Sequence, residues 1–350
     1  MMTQLTPIRV LVAEDSPVAR ELLVYILQNA PGIQVIGTAR NGAEAVRLAK
    51  RLKPDVITMD VHMPEMDGFE ATRQIMTESP CPIVIVSASM NKNERNLTFD
   101  ALKSGALTVL EKPSVNDSTL IHDYLVQQVK LMAEVKVVRR WGDARKPGLA
   151  SNQAGSPVLK RNGKSKIQLV VIASSTGGPG VLAQILGHLP ADFPAPILIV
   201  QHITAGFGAG LAAWLNQNSL LEVRLARHAD EPKVGEVLIA PDDQHMLVNS
   251  MGLIALNQEP PYQGVRPSAD YLFNSVARVY GATAIGVILT GMGADGAEGL
   301  QALRQTGAHT IAQNKESCIV FGMPAVAIEL GAAEQVLPAE KIAAALKVLV

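Results

Sequence analysis

The stretch VVIASSTGGPG, residues 170–180, decides how the second half of the chain folds. An apolar run stops at two serines, a threonine and two glycines, and an apolar helical pattern follows. A short run without polar alternation predicts a strand covered on both faces, as in parallel sheets between helical layers. In such sheets ligands bind beyond the carboxyl ends of the strands, where these hydroxyls stand. The glycines let a backbone or substrate approach without a Cβ in the way. The following helix start offers unpaired N–H groups that suit a phosphate or an oxyanion. On local sequence the two uses, phosphate cradle and serine nucleophile, stand level, because the stretch does not match GxSxG.

Working outward, further strands are predicted at 196–201, 285–290 and 309–313 beside 167–173, with helices near 180–189, 207–217, 268–280 and 295–306. GEVLIAP, HMLVNS and GLIALN read as short strands with tight turns, an antiparallel hairpin added to the sheet. His202 follows PILIVQ and Asp295 follows IGVILTGMGA, the same kind of position as Ser175. In one parallel sheet the three meet on one rim. Serine is a weak nucleophile at neutral pH and needs a base, and the base needs an acceptor to fix its tautomer. Their shared location favours the catalytic use. His245, in PDDQHM, lies among the hairpin strands and reads as structural.

The first half alternates IRVLVA, IQVIGT, DVITMD, PIVIVS and LTVLE with helical patterns, one of them NERNLTFDALKSG, and STLIHDYLVQQVKLMAEV comes last. This predicts a five-stranded parallel sheet with helices on both faces. Glu14 and Asp15 close the first strand, Asp60 the third, Ser87 the fourth and Lys112 the fifth. Three converging carboxylates repel one another, and a divalent cation such as Mg²⁺ relieves them while leaving room for phosphate oxygens. An Asp carboxylate can itself accept a phosphoryl group. Residues 136–166 mix Gly, Pro, Ser and Asn with many Lys and Arg and read as an exposed basic linker.

Composition narrows the classes. The 350 residues favour two domains, and 48% apolar content is ample for two cores. A net charge of −1 and no basic recognition helix argue against a nucleic-acid partner. Cys81 and Cys318 are far apart and in different halves, so neither a disulfide framework nor a zinc site is indicated. No signal peptide is legible and no uncharged run reaches the ~18 residues of a membrane span. A cytoplasmic protein without membrane insertion is expected.

Two resemblances sharpen these readings. The set Glu14, Asp15, Asp60 with MPEMDG, Ser87 and KP at 112–113 resembles a response-regulator receiver domain over residues 6–125. The resemblance implies a flavodoxin-like fold and phosphorylation of Asp60 by a histidine kinase. It also implies Mg²⁺ held by Asp15, Asp60 and the backbone of His62. Val109 stands where receivers often carry an aromatic residue that moves on activation.

ASSTGG, QHITAGF, IAPDDQHM, RPSADYLFNSVA, GVILTGMGADG and AQNKESCIVFGMP are similar to the catalytic domain of the chemotaxis protein-glutamate methylesterases, the CheB family, over residues 167–346. Residues 126–166 then form a helical extension and basic flexible linker. The resemblance puts the nucleophile on Ser175, the base on His202 and the acid on Asp295, with Thr176 and Met292 near the oxyanion. It implies hydrolysis of glutamate methyl esters on methyl-accepting chemoreceptors, deamidation of certain glutamines, and no cofactor for the hydrolysis. Ala173 replaces the first glycine of the family's GASTGG, where an added methyl is expected at the turn of the backbone. Ser174 adds a second hydroxyl beside the nucleophile, and Ala294 stands where asparagine is common. These departures keep a second class open, a receiver joined to a degenerate esterase fold that only binds a receptor or scaffold.

Overall fold

In the computed structural model, which describes residues 6–87, 105–114, 117, 119–135, 137 and 166–350, two parallel sheets carry the chain. The first has the order β2-β1-β3-β4-β5, built from β1 (Ile8–Ala13), β2 (Ile33–Ala39), β3 (Val56–Met59), β4 (Ile83–Ser87) and β5 (Thr108–Glu111). This is the flavodoxin-like order, with its switch point between β1 and β3. Every residue of β3 and β4 is buried, as expected for strands between two helical layers.

Helix α1 (Pro17–Gln28) starts where Ser16 accepts from the Ala19 N–H and proline takes the first helical position. At α2 (Gly42–Leu52) Asn41 accepts from the Glu44 N–H while the Glu44 carboxylate reaches back to the Arg40 N–H. Asp67 caps α3 (Gly68–Glu78) by accepting from Phe69 and Glu70. Helix α4 (Thr119–Ala133) passes residue 125 and places Leu125, Val129 and Met132 in the same core as Val10, Val12, Val84 and Val86. The helix predicted over NERNLTFDALKSG and most of the linker lie outside the described residues.

The second sheet has the order β14-β13-β12-β6-β7-β9-β8, every pair parallel. Its strands are β6 (Leu169–Ser174), β7 (Ile197–Gln201), β8 (Glu222–Leu225), β9 (Glu236–Ile239), β12 (Ala284–Ile288), β13 (His309–Gln313) and β14 (Gln335–Leu337). GEVLIAP supplies β9, a member of this sheet, and only β10 (His245–Val248) and β11 (Ile254–Asn257) form the antiparallel hairpin, as a separate two-stranded sheet. The short β8 and β14 are additions at the two edges. Helices α5 (Gly178–Gly187), α6 (Gly208–Gln217), α7 (Ala269–Val279), α8 (Ala297–Gln305), α9 (Met323–Glu329) and α10 (Ala339–Leu349) complete this half. Because β6 sits between β12 and β7, the strands that lead to Asp295, Ser175 and His202 are neighbours.

Candidate active site

At the carboxyl edge of the second sheet, His202 Nε2 lies 2.8 Å from Asp295 Oδ2. Asp295 is buried and saturated with donors: the Ser268 hydroxyl at 2.6 Å, the Ala269 N–H at 2.6 Å and the Asp270 N–H at 3.2 Å. These N–H groups open α7, which has no side-chain cap of its own at Ser268. Asp295 therefore caps α7 from the turn that leads into α8. The service is mutual, since Asp270 in the first turn of α7 accepts from the Gly299 N–H of α8 at 2.7 Å. Each helix start is closed by a carboxylate belonging to the other.

The two exchanged acids are shifted in opposite directions. Burial works against the Asp295 carboxylate, but His202, Ser268 and the Ala269 N–H outweigh it and hold the acid below its ordinary range. Burial pushes Asp270 up to about 6, the Gly299 N–H opposing and the Asp295 charge adding to the rise. His245 confirms its structural reading. Buried and stacked on Tyr271 with ring centroids 3.9 Å apart, it accepts the Ser268 N–H on Nδ1.

Ser175 follows β6 directly. Its N–H is engaged by Thr290 O at 3.0 Å, and Gly291 packs so closely that a Cβ there would lie 2.7 Å from Ser175 Cβ. Met292 follows Gly291 directly and so adjoins the Ser175 turn. Gly177 is a necessity of the turn: its φ is +80°, and a Cβ would come within 2.7 Å of Ile319. Gln201, the last residue of β7, ties strand ends together. Its amide nitrogen donates to the carbonyls of Ser175 and His202, each at 2.8 Å, and its oxygen accepts from the Ser174 hydroxyl at 2.6 Å. Ser174 is thereby a fastening for Gln201 rather than a second nucleophile.

Ala173 also differs from expectation. It lies inside β6, fully buried and paired with Val200 and Ile288, so its methyl fills core and not the turn. Among the described residues no hydrogen bond joins Ser175 Oγ to His202; Nε2 is committed to Asp295, and Nδ1 is the nitrogen left for the hydroxyl. Both residues line one cavity of about 20 Å³, shared with Thr176 and with Thr108, Val109 and Tyr124 of the first half. That is room for a water. Thr176 Oγ1 also donates across the boundary to Gln128 Oε1 of α4 at 3.2 Å. Ala294, half-buried, replaces asparagine with no visible consequence for the Asp295 contacts.

The acidic group of the first half converges as the strand order requires. Lys112 Nζ lies 2.9 Å from Glu14 and 3.0 Å from Asp60, and Asp60 Oδ1 accepts the Val61 N–H at 2.8 Å. Burial, with the Asp60 charge beside it, raises Glu14 above the usual range, and burial raises Asp60 despite Lys112. Lys112 itself is raised: burial opposes its charge, but the two carboxylates outweigh that. Glu14, Asp15 and Asp60 each bring an oxygen within 4.8 Å of the others, a hard-oxygen set suited to a divalent cation. The buried Ser87 hydroxyl has no partner among the described residues, an unfilled donor at the same strand edge. His62 is exposed. The thiols of Cys81 and Cys318 are free.

Residues Gln201, Ser268, Asp270 and Gln128 carry no sequence expectation, although all four stand inside quoted stretches. Their roles depend on which strand or helix end comes opposite, which no local pattern states.

Comparison with known proteins agrees with this division. A family model described as CheB methylesterase matches residues 170–346, and one described as response regulator receiver domain matches residues 10–124. A protein-glutamate methylesterase/protein-glutamine glutaminase of Nitrosospira multiformis is 51% identical over 98% of this chain and 97% of its own length. A relative of the same name from Syntrophus aciditrophicus is 50% identical over 96% of each chain. The crystal structure of the Thermotoga maritima CheB methylesterase catalytic domain is 43% identical, with a TM-score of 0.52, and covers 53% of this chain and 100% of that one. No described helix is long and apolar enough to cross a membrane. With a receiver sheet, a methylesterase sheet and full-length relatives of both kinds at once, the chain belongs to the CheB family of response-regulator protein-glutamate methylesterases.

Proposed function

We propose that the chain hydrolyses γ-methyl esters of glutamate, and deamidates certain glutamines, on methyl-accepting chemoreceptors, and that phosphorylation of Asp60 releases this activity. The observation that carries the reading is the His202–Asp295 pair, whose histidine lines one cavity with Ser175 and with Thr108, Val109 and Tyr124 of the receiver. Residues 6–125 act as the switch, 126–166 as the connection and 167–346 as the catalyst. In the reactive arrangement Ser175 Oγ donates to His202 Nδ1, the ring nitrogen that Asp295 leaves free. The hydroxyl then attacks the ester carbonyl while the imidazole takes its proton, and Asp295 stabilises the imidazolium. The carbonyl oxygen becomes an oxyanion beside Thr176 and Met292. Collapse expels methanol, which takes the proton from His202. Water, deprotonated by the same imidazole, attacks the acyl-serine, and a glutamate carboxylate leaves as Ser175 regains its proton.

In the receiver, Asp15, Asp60 and the His62 backbone would hold Mg²⁺, which offsets the charge of a phosphoryl group when bound. Asp60 accepts that group from a histidine kinase, and Lys112 and Ser87 supply donors to its oxygens. Phosphorylation adds about 1.5–2 negative charges beside a lysine that now serves two carboxylates. The resulting rearrangement of the β5 and α4 surface opens the 20 Å³ cavity. The hydrolysis needs no cofactor, and the activity belongs in the cytoplasm, where the receptors present their modified glutamates.

The test is methanol release from purified methylated receptors, with and without a phosphodonor. Release rises with the phosphodonor and disappears in Ser175→Ala, by about 10⁶-fold in kcat on the precedent of serine hydrolases. Unchanged release by Ser175→Ala sinks the serine mechanism. No release from the phosphorylated wild type favours a binding module instead.

A further inference from the structure

A receiver helix that hydrogen-bonds to the residue after Ser175 carries a group of the same chemical class as a substrate. Gln128 is 2% exposed, on a helix whose neighbouring Leu125 and Val129 enter the receiver core. A primary amide at so buried a position is costly unless it is hydrogen-bonded. Its Oε1 accepts from Thr176 Oγ1 at 3.2 Å, and Thr176 is the residue directly after Ser175. The curated relatives are named as glutaminases as well as methylesterases, so the side-chain amide of a protein glutamine is a group their sites accept. Beside this contact Ser175, Thr176 and His202 line a cavity of about 20 Å³.

We propose that Gln128 is a pseudosubstrate: in the closed chain α4 seats its amide carbonyl on the Thr176 donor, where a substrate carbonyl binds, and the receiver inhibits by competing for the site. This rests on the reading of Ser175 as nucleophile and adds to it a defined competitor. A tethered competitor raises the apparent KM and leaves kcat alone, because every chain that releases it is fully active. An inert plug makes a different prediction, because any side chain of equal bulk serves as well.

The experiment uses the full chain and a small soluble ester, N-acetyl-glutamate α-amide γ-methyl ester, which needs no receptor docking. Gln128→Met keeps length and burial but removes the carbonyl, and Gln128→Leu is a second variant of the same kind. Without phosphodonor, each variant shows a KM about two- to tenfold lower than wild type, the size of one neutral hydrogen bond, with kcat unchanged. With phosphodonor, wild type and variants coincide, which also shows that the variants are folded. A KM unchanged from wild type without phosphodonor, in chains that are active with it, overturns the pseudosubstrate and leaves the esterase reading intact. No methanol from phosphodonor-treated wild type overturns both.

Discussion

The two acidic centres of this chain are built from the same side chains and tuned in opposite directions. Glu14 and Asp60 of the receiver are buried with one lysine between them and are held above the ordinary carboxylate range. Asp295 of the esterase is as well buried, yet it is held below that range by a hydroxyl, helix N–H groups and an imidazole. Burial penalises both, and the difference lies in the number of donors. In the proposed reaction Asp295 orients and stabilises an imidazolium and has to keep its charge throughout, which its donors favour. On the same proposal the receiver pocket takes a cation and a phosphoryl group, and its shortage of positive charge suits that.

The contrast can be broken first at Asp295. Asp295→Asn keeps the shape but not the charge, so it is expected to lower kcat for methanol release by about 10⁴-fold. Phosphoryl incorporation at Asp60 stays at the wild-type level, which separates the two centres in one protein. A smaller effect is expected at Lys112. Lys112→Met leaves two buried carboxylates facing each other and should cost about 2–4 kcal/mol in thermal or urea unfolding at neutral pH without divalent cation, discounted for the partial exposure of the lysine. Added Mg²⁺ offsets part of the loss, and the loss shrinks as pH falls, because Glu14 and Asp60 then take up protons. A loss indifferent to both Mg²⁺ and pH contradicts the idea of an under-compensated pocket.

The smallest effect sharpens the comparison inside the esterase. Asp270, pushed up to about 6, retains its proton longer in the folded chain than in the unfolded one. Its contribution to stability is therefore complete below about pH 4 and lost as pH rises through 6. Asp270→Asn has no such loss, so across this window it gains on wild type by roughly 1–3 kcal/mol in urea titrations. A constant difference between the two proteins at pH 4 and pH 6.5 shows that Asp270 does not titrate in this range.

Much of this was legible in the linear chain, because strand ends announce themselves. Runs such as DVITMD and PILIVQ end at or just before a residue that the proposed function uses, which places Asp60 and His202 on a rim from sequence alone. The departures were harder to interpret. Ala173 looked like a change at the turn, but the strand continues one residue past it, and its methyl is core. Ser174 looked like a rival hydroxyl, but the neighbouring strand brings Gln201 to it. β9 was assigned to the hairpin because three short apolar runs in succession have the same local pattern whether they pair with each other or with a distant strand.

The residue types, their order and their places at the ends of buried strands were fixed by the sequence itself, and with them the two sheets and the serine, histidine and aspartate of the proposed reaction. Periodicity and chain breaks are local properties, and local properties are what a sequence displays. Only the tertiary structure decided that α7 and α8 exchange carboxylate caps, that Gln201 ties the Ser175 and His202 strand ends together, and that Gln128 of α4 meets Thr176. Each of these contacts joins segments that approach one another only when helices and sheets have packed, so its energy depends on distance in space and leaves no trace in spacing along the chain.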